Sequence, residues 1–174
     1  MVKAIDTEYN GHRFRSRLEA RWAVFFDSLG VKYQYELEGF DLDGVYYLPD
    51  FWLPHITPEL AAQGWGLWVE IKPRPISEDE LKKVVALVEK SGHNALVFQG
   101  DPWPDKYSVL KISGTHFQPP KWFEGLSFVQ EDSGYIHLKS SSFSSYPAAY
   151  GGDLQGAYKA ARGARFEHGE SPTS

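Results

Sequence analysis

Two carboxylates and a lysine lie close together in two apolar segments of the chain. Asp50 belongs to "LPDFWLP" (48–54), and Glu70 and Lys72 belong to "LWVEIKP" (67–73). Because side chains alternate along a strand, Glu70 and Lys72 share one face of an otherwise apolar strand. A buried ion pair is a poor source of stability, since desolvating both charges can cancel their attraction. The pair therefore indicates either an exposed strand face or a functional site.

Neighbouring strands would bring Asp50 and Glu70 to the same strand end. Two carboxylates in one place repel each other, and a hard divalent cation such as Mg²⁺ removes that penalty because it prefers oxygen ligands. Such a cation polarises a phosphoryl oxygen and lowers the pKa of a bound water. Lys72 can then hold that water or neutralise charge that develops on a phosphate. Together these groups outline a site that hydrolyses phosphodiester bonds.

Glu19 is a third candidate carboxylate, on a predicted helix at 15–29. It shares a helix face with Arg15 and with apolar residues, so it either pairs with an arginine or points into a site. The arginines around it form the strongest cationic cluster in the chain, which is either a solvated face or a contact surface for DNA phosphates. The candidate DNA contacts are Arg13, Arg15, Arg17, Arg21 and Arg74. His55 and Arg74 lie just beyond predicted strand ends, where loops face a site, and are candidate site residues for that reason.

The hydrophobic pattern predicts the elements that position these residues. Their order is α-β-β-β-α-β, which favours an α/β sheet with helices packed on it. The second helix begins with a capping box formed by Ser77 and Glu80. The predicted elements are a helix at 15–29, strands at 31–40, 45–54 and 67–72 with a loop at 55–66, a helix at 77–92 and a strand at 94–100.

The remainder of the chain predicts a β-rich extension that ends in a basic helix. We divide the chain into a core at 1–112 and a C-terminal extension at 113–174. The predicted elements past residue 100 are a strand at 107–112, a hairpin at 126–138 around "EDSG", a Ser- and Gly-rich linker at 140–152 and a helix at 154–169.

Composition and charge exclude several classes of protein. The chain has 174 residues and no cysteine, which excludes disulfides and thiolate zinc sites, and its six histidines show no paired metal-ligand spacing. No apolar run approaches the roughly 20 residues that cross a bilayer, and no signal-peptide pattern is present. We therefore expect a cytoplasmic protein with no membrane partner. The net charge of −5 argues against nonspecific coating of nucleic acid but allows a local basic face.

The motifs taken together resemble the PD-(D/E)XK nuclease superfamily. That family places an acid in its first helix, Pro-Asp at its second strand and Glu-x-Lys in its third. The corresponding segments are "SRLEARWA" (16–23), "LPDFWLP" (48–54) and "WVEIKP" (68–73). The arrangement is similar to transposon TnsA endonucleases and to small phage Holliday-junction resolvases. The resemblance covers about residues 10–100 and implies a restriction-endonuclease-like core with a mixed sheet, followed by a C-terminal β-hairpin and helix.

The resemblance also implies a function and a division of roles. Asp50 and Glu70 would be metal ligands, Lys72 would lie at the attacking water, and Glu19 would be a further ligand or stand behind the ligands. We expect a Mg²⁺-dependent endodeoxyribonuclease, with Mn²⁺ as a substitute and no nucleotide cofactor, encoded by a bacterium or a phage. Its DNA would be branched, nicked or of phage origin, and a homodimer would most easily cut two strands. A non-catalytic DNA- or protein-binding module and an RNA- or nucleotide-directed hydrolase remain as alternatives.

Overall fold

The computed structural model describes residues 6–56, 66–115, 118–123, 125–140 and 145–166. Most of the predicted 55–66 loop, part of the predicted linker and the end of the predicted last helix lie outside these residues. The elements are β1 (Thr7–Tyr9), β2 (His12–Phe14), α1 (Arg17–Leu29), β3 (Gln34–Tyr35), β4 (Phe40–Leu42), β5 (Val45–Tyr47), β6 (Phe51–Leu53), β7 (Leu67–Lys72), α2 (Glu78–Ser91), β8 (Ala95–Gly100), β9 (Tyr107–Thr115), β10 (Gln118–Phe123), β11 (Leu126–Gln130), β12 (Tyr135–Ser140), β13 (Ser145–Tyr150) and α3 (Leu154–Gly163).

Six strands form a central mixed sheet in the order β10-β9-β8-β7-β6-β3. Strands β7 and β8 run parallel, and the other neighbouring pairs in this sheet are antiparallel. A parallel pair requires a crossover connection, which α2 provides. The prediction of an α/β protein with a mixed sheet is confirmed.

Helix α1 covers one face of this sheet. Ser16 caps its first turn by accepting a hydrogen bond from the Glu19 amide, and Gly30 ends it in the left-handed conformation at φ 72°. The apolar face of the helix is buried, with the Trp22 ring centroid 4.5 Å from that of Phe98 in β8. Burial of such large aromatic area fixes the helix against the strands that carry the candidate site.

Helix α2 covers the opposite face. The predicted capping box is present, since Ser77 and Glu80 bond each other's backbone reciprocally. Val84, Leu87 and Val88 are buried in a cluster that includes Trp68 of β7. Trp68, Glu70 and Lys72 alternate with residues that face α1, so the charged pair lies on the α2 side of the sheet.

The predicted strands at 31–40 and 45–54 are interrupted in the structure. Gln34–Tyr35 alone joins the central sheet from the first segment, and β4 and β5 pair with each other as a separate hairpin. Asp43 and Gly44 make its turn with positive φ values of 54° and 86°. Pro49, which lacks the N–H that a continuous ladder needs, lies between β5 and β6.

Four further strands, β1, β2, β10 and β13, were missing from the sequence-based prediction. The hairpin of β1 and β2 turns at Asn10 and Gly11, both with positive φ, and this Asn-Gly pair was a readable signal. Strand β10 pairs with β9 in the central sheet. Strand β13 occupies much of the predicted linker and pairs with β12, so the predicted hairpin is the first part of a three-stranded sheet.

The C-terminal sheet and α3 pack against α1, and β11 also contacts the central sheet, with the ring of Phe128 stacked 6.0 Å from that of Phe98. The Phe25 ring of α1 lies 5.0 Å from the ring of Phe128 in β11 and 5.0 Å from that of Tyr158 in α3. The residues predicted to share a face of the last helix, Leu154, Ala157, Tyr158 and Ala161, are all buried. The division at residue 112 stays a prediction, and its two parts meet in one apolar cluster across α1. No helix in the described part of the chain is long and apolar enough to cross a membrane.

The position of Phe25 predicts a large loss of stability on truncation. Phe25→Ala leaves a cavity between α1, β11 and α3, so we expect the free energy of unfolding to fall by about 3–5 kcal/mol. Leu37→Ala, at a side chain that is 45% exposed, is the control and should change it by less than about 0.5 kcal/mol. Urea denaturation measures both, and equal midpoints for the two variants would contradict the packing described.

Candidate active site

Asp50 and Glu70 lie side by side at the end of β6. The register pairs Phe51 with Val69, which places Asp50 opposite Glu70 across the two antiparallel strands. The Asp50 Oδ2 atom accepts a hydrogen bond of 2.7 Å from the backbone amide of Ile71. Both carboxylates are buried, with 4% of Asp50 and 6% of Glu70 exposed. The structure therefore brings these predicted residues together.

Lys72 completes this group as a cation. Its ammonium lies 2.7 Å from Glu70 Oε1 and 3.5 Å from Oε1 of Glu80, the capping residue of α2. Burial alone would lower the pKa of Lys72, but the carboxylates of Glu70, Asp50 and Glu80 outweigh it and raise that pKa. Lys72 is thus held protonated, as a source of positive charge rather than a proton acceptor.

Glu19 joins the group from α1, and no arginine of the described ranges forms an ion pair with it. Its Oε1 atom accepts a hydrogen bond from the Ser16 hydroxyl at 2.6 Å, and its Oε2 atom accepts one from the Tyr35 hydroxyl at 2.6 Å. The Glu19 charge acts on Asp50 strongly enough to raise the pKa of Asp50. The sequence left open whether Glu19 pairs with an arginine or points into a site, and two hydroxyl groups hold it beside Asp50.

Arg15 contacts the site from the surface, with 53% of its side chain exposed. Its Nη2 atom is 3.1 Å from Asp50 Oδ1, and its Nε atom contacts the Glu36 carboxylate. Its backbone amide donates to the Tyr35 hydroxyl at 3.0 Å. Tyr35 therefore connects Arg15 to Glu19, and one guanidinium neutralises part of the acidic group.

The pKa of Asp50 is raised well above its ordinary range. Burial is the largest cause, followed by the Glu70 and Glu19 carboxylates, while the Ile71 amide and Lys72 act in the opposite direction. Negative charge is therefore in excess at this strand end, and Asp50 tends to bind a proton when no further cation is present.

Tyr47 is a member of the site that sequence reasoning missed. Its hydroxyl is buried close to the Glu70 carboxylate, and neither this hydroxyl nor Glu70 Oε2 makes a hydrogen bond of ordinary length and angle within the described residues. Burial raises the pKa of Tyr47, and the nearby Glu70 charge raises it further. Side chains alternate along β5, so Tyr47 points inward while Tyr46 is 73% exposed. This alternation was the sequence signal that could have placed Tyr47 at the site.

The other predicted DNA contacts and His55 make no described ion pair with Asp50, Glu70 or Glu19. Arg17 is exposed in the first turn of α1, and His55 follows β6 at the end opposite Asp50. Three arginines pair with acids elsewhere, at 2.6, 2.9 and 3.1 Å respectively: Arg13 with Asp6, Arg21 with Asp101 and Arg74 with Glu80. Only Arg15 of the predicted arginines contacts Asp50 among the described ion pairs.

The chemistry of the donors fits a hard divalent cation. Asp50 and Glu70 offer carboxylate oxygens, Glu70 Oε2 is buried without a partner, and the local charge is too negative for Asp50 to ionise at its ordinary pKa. Across the described ranges, no group of three or more His, Cys, Asp or Glu residues is placed to hold a metal ion. Both Glu19 oxygens already accept hydrogen bonds. The fit therefore rests on the pair Asp50 and Glu70.

Comparison with known protein families, curated proteins and solved structures finds no match to this chain. The case for the site consequently rests on its own residues and geometry.

The two half-buried tyrosines of the site, Tyr35 and Tyr47, should respond differently to loss of their hydroxyl groups. Tyr35→Phe removes the partner of Glu19 and of the Arg15 amide, so the free energy of unfolding should fall by about 1–3 kcal/mol. Tyr47→Phe removes a hydroxyl without a described partner and should change it by less than about 0.5 kcal/mol, or stabilise the protein. Equilibrium denaturation in EDTA measures both, and a larger loss for Tyr47→Phe would contradict the hydrogen bonding described.

The raised pKa of Asp50 predicts a pH-dependent gain of stability in Asp50→Asn. A folded-state pKa above the unfolded value means that the metal-free protein loses stability as pH rises through the folded value. The neutral amide avoids this loss, so the variant should be more stable than wild type by about 1 kcal/mol at pH 8 in EDTA, a gain typical of relieving a functional site. The gain should vanish at low pH, where Asp50 is protonated.

Thermal denaturation of both proteins at several pH values measures the effect, with the exposed turn residue changed by Asp132→Asn as the control. Adding Mg²⁺ should raise the Tm of wild type at pH 8 but not that of Asp50→Asn, because a ligand of the folded state stabilises it. A variant that is no more stable than wild type at pH 8 would contradict the charge excess.

Proposed function

We propose that the chain is a metal-dependent endodeoxyribonuclease that hydrolyses phosphodiester bonds, with a PD-(D/E)XK type of site on a restriction-endonuclease-like core. The observation that carries this proposal is the placement of Asp50 opposite Glu70, with the Lys72 ammonium 2.7 Å from Glu70. The element sequence α1-β3-β6-β7-α2-β8 agrees with the order of the proposed core. Glu19 reaches the same strand end from α1, which supports the assignment of a single site.

The roles of the residues follow from their charges. Asp50 and Glu70 would hold Mg²⁺, which when bound polarises a phosphoryl oxygen and makes a bound water more acidic. Lys72 stabilises negative charge that develops on the phosphate, because its own pKa is raised and it stays charged. In hydrolysis the water oxygen bonds to phosphorus, the bond to the leaving sugar oxygen breaks, and that oxygen takes up a proton from the water directly or through solvent.

The electrostatics of the site give a reason for a metal requirement. Phosphodiesters are anionic, and the group that surrounds Asp50 includes five carboxylates, Glu19, Glu36, Asp50, Glu70 and Glu80, against the basic groups Arg15, Lys72 and Arg74. A DNA phosphate approaching such a group is repelled unless a further cation neutralises it. Arg15, whose guanidinium contacts Asp50, neutralises part of this negative charge.

A second candidate function is a non-catalytic DNA- or protein-binding module on the same fold. The observation that favours it is the lack of a preformed group of three metal-binding side chains in the described residues. Arg15 and Lys72 also neutralise the carboxylates in part without a metal. Under this reading Asp50 and Glu70 are structural acids, and Lys72 can be replaced without loss of function.

A cleavage panel with matched lysine variants tests the two functions. The panel contains supercoiled plasmid, linear duplex, single strands, a four-way junction and RNA, each with Mg²⁺, Mn²⁺ or EDTA. We expect metal-dependent cutting of DNA that falls about 100-fold or more in Lys72→Ala, the size expected for a charge that stabilises the transition state. Lys82→Ala, at an exposed lysine of α2 that pairs with Asp79, should cut as wild type does.

The panel also separates the alternatives. Cutting of RNA alone would favour the RNA-directed hydrolase. Failure to cut any substrate, while a reference nuclease cuts them all and the protein is folded, would remove the nuclease proposal in favour of the binding module. The form of DNA that is cut would name the substrate class, and sedimentation of the active protein would test the proposed homodimer.

A further inference from the structure

A cavity of about 440 Å³ lies at the carboxyl ends of β7 and β8. Parallel strands end at the same edge of a sheet, and ligands of open α/β sheets bind in the crevice outside these ends. Pro73, directly after Lys72, and Gly100, the last residue of β8, both line the cavity. The cavity is thus one residue along the chain from the proposed catalytic lysine, yet its lining includes none of the carboxylates Glu19, Asp50 and Glu70.

The lining of the cavity is strongly basic. Arg21, Lys106 and Arg162 face one acid, Asp101, whose Oδ1 atom lies 2.9 Å from Arg21. They come from three separate parts of the chain, namely α1, the connection between β8 and β9, and α3. Basic groups that converge from distant segments make a phosphate a favourable ligand, because two of the three positive charges have no acid opposite them in the lining.

An aromatic side chain accompanies these cations. The guanidinium carbon of Arg162 lies 4.5 Å from the centroid of the Trp103 ring, a cation–π contact. Trp103 is half-buried and packs edge-on against Tyr158 at 6.3 Å, so the indole is held from behind by α3. A fixed aromatic ring beside arginine and lysine is how proteins bind unpaired nucleotides, with the base stacked on the ring and the phosphate on the cations.

The size of the cavity agrees with one nucleotide. Small-molecule sites span about 300–1,000 Å³, and the 440 Å³ here lies in the lower part of that range. A duplex is too wide to enter, so the ligand must be a base outside a helix. Arg162 occupies the Trp103 ring in the free protein, and a base that stacks there frees the guanidinium for the adjoining phosphate.

We propose that this cavity binds one unpaired nucleotide of a DNA strand, next to the phosphate that the active site cuts. The identity of the strand as the substrate rests on the proposed nuclease function, whereas the binding itself requires no cleavage. The cavity would thereby direct the enzyme to DNA with unpaired positions, such as junctions, flaps or frayed ends. It also gives α3 a role in recognition, through the exposed Arg162 beyond its buried face.

Binding of labelled oligonucleotides in EDTA tests this proposal without cleavage. Fluorescence anisotropy at one fixed salt concentration compares a thymidine oligonucleotide with an abasic strand of the same length and with a blunt duplex. Wild type should bind the thymidine strand more tightly than either of the others. Trp103→Leu should weaken binding of the thymidine strand about 5- to 100-fold, the effect of losing one stacked base, and should leave binding of the abasic strand unchanged.

The basic side chains are tested with a matched arginine. Arg162→Gln should weaken binding of the thymidine strand at least about 5-fold, whereas Arg165→Gln, at an exposed arginine that does not line the cavity, should weaken it less than about 2-fold. Circular dichroism checks that each variant is folded. Equal losses for the two arginine variants, an equal loss for Trp103→Leu on the abasic strand, or no binding of the thymidine strand by wild type would overturn the proposal.

The outcomes are independent of those of the cleavage panel. If the protein cuts no substrate but prefers the thymidine strand in a way that depends on Trp103, the nucleotide-binding proposal stands and the nuclease proposal is wrong. If the protein cuts DNA with a metal, and its Trp103 and Arg162 variants bind every strand as wild type does, the nuclease proposal stands and the nucleotide-binding proposal is wrong.

Discussion

Repulsion between the buried carboxylates is the constraint that the surrounding structure has to satisfy. Asp50 and Glu70 occupy opposite positions on adjacent strands, and Glu19 adds a third charge from the helix above them. Ionised groups in a buried position are expensive unless they are paired or hydrogen bonded. Much of the surrounding architecture meets that cost, through the Ile71 amide, the hydroxyl groups of Ser16 and Tyr35, and two basic side chains.

The short elements that precede the central strands supply polar groups to these carboxylates. The hairpin of β1 and β2 leads directly into Arg15, whose side chain reaches Asp50 and Glu36. Strand β3 supplies Tyr35, and the hairpin of β4 and β5 closes over the site with Tyr47. Each of these pieces is too small to be stable alone, and each contributes one polar group to the same strand end. The short elements are therefore held by their packing and by these polar contacts with the rest of the protein.

The sequence predicted the parts of the site that follow from local geometry, and it predicted the meeting of Asp50 and Glu70 from the expectation that their strands are neighbours. Alternation within one strand puts Glu70 beside Lys72, and a capping box marks the start of α2, so both were readable from short stretches. The contact between Arg15 and Asp50 joins residues 35 positions apart, and the unpartnered hydroxyl of Tyr47 depends on how a hairpin folds over a sheet. No local pattern encodes such distances. Strand β13 was read as a linker because Ser and Gly outweighed the pairing that β12 offers, a case in which tertiary context overrides propensity.

Glu80, the capping residue of α2, links opening of the first helical turn to the contacts of the Lys72 ammonium. Glu80 accepts hydrogen bonds from the Ser77 amide and hydroxyl through Oε2, while its Oε1 atom lies 3.5 Å from the Lys72 ammonium. Burial would raise the pKa of Glu80. The hydrogen bonds from Ser77 and Arg74 and the charge of Lys72 lower this pKa to about 2, so the carboxylate is charged throughout the ordinary pH range. The ends of helices open more often than their centres. Each opening of the first turn of α2 therefore withdraws the Glu80 carboxylate from Lys72, while the 2.7 Å contact between Lys72 and Glu70 remains.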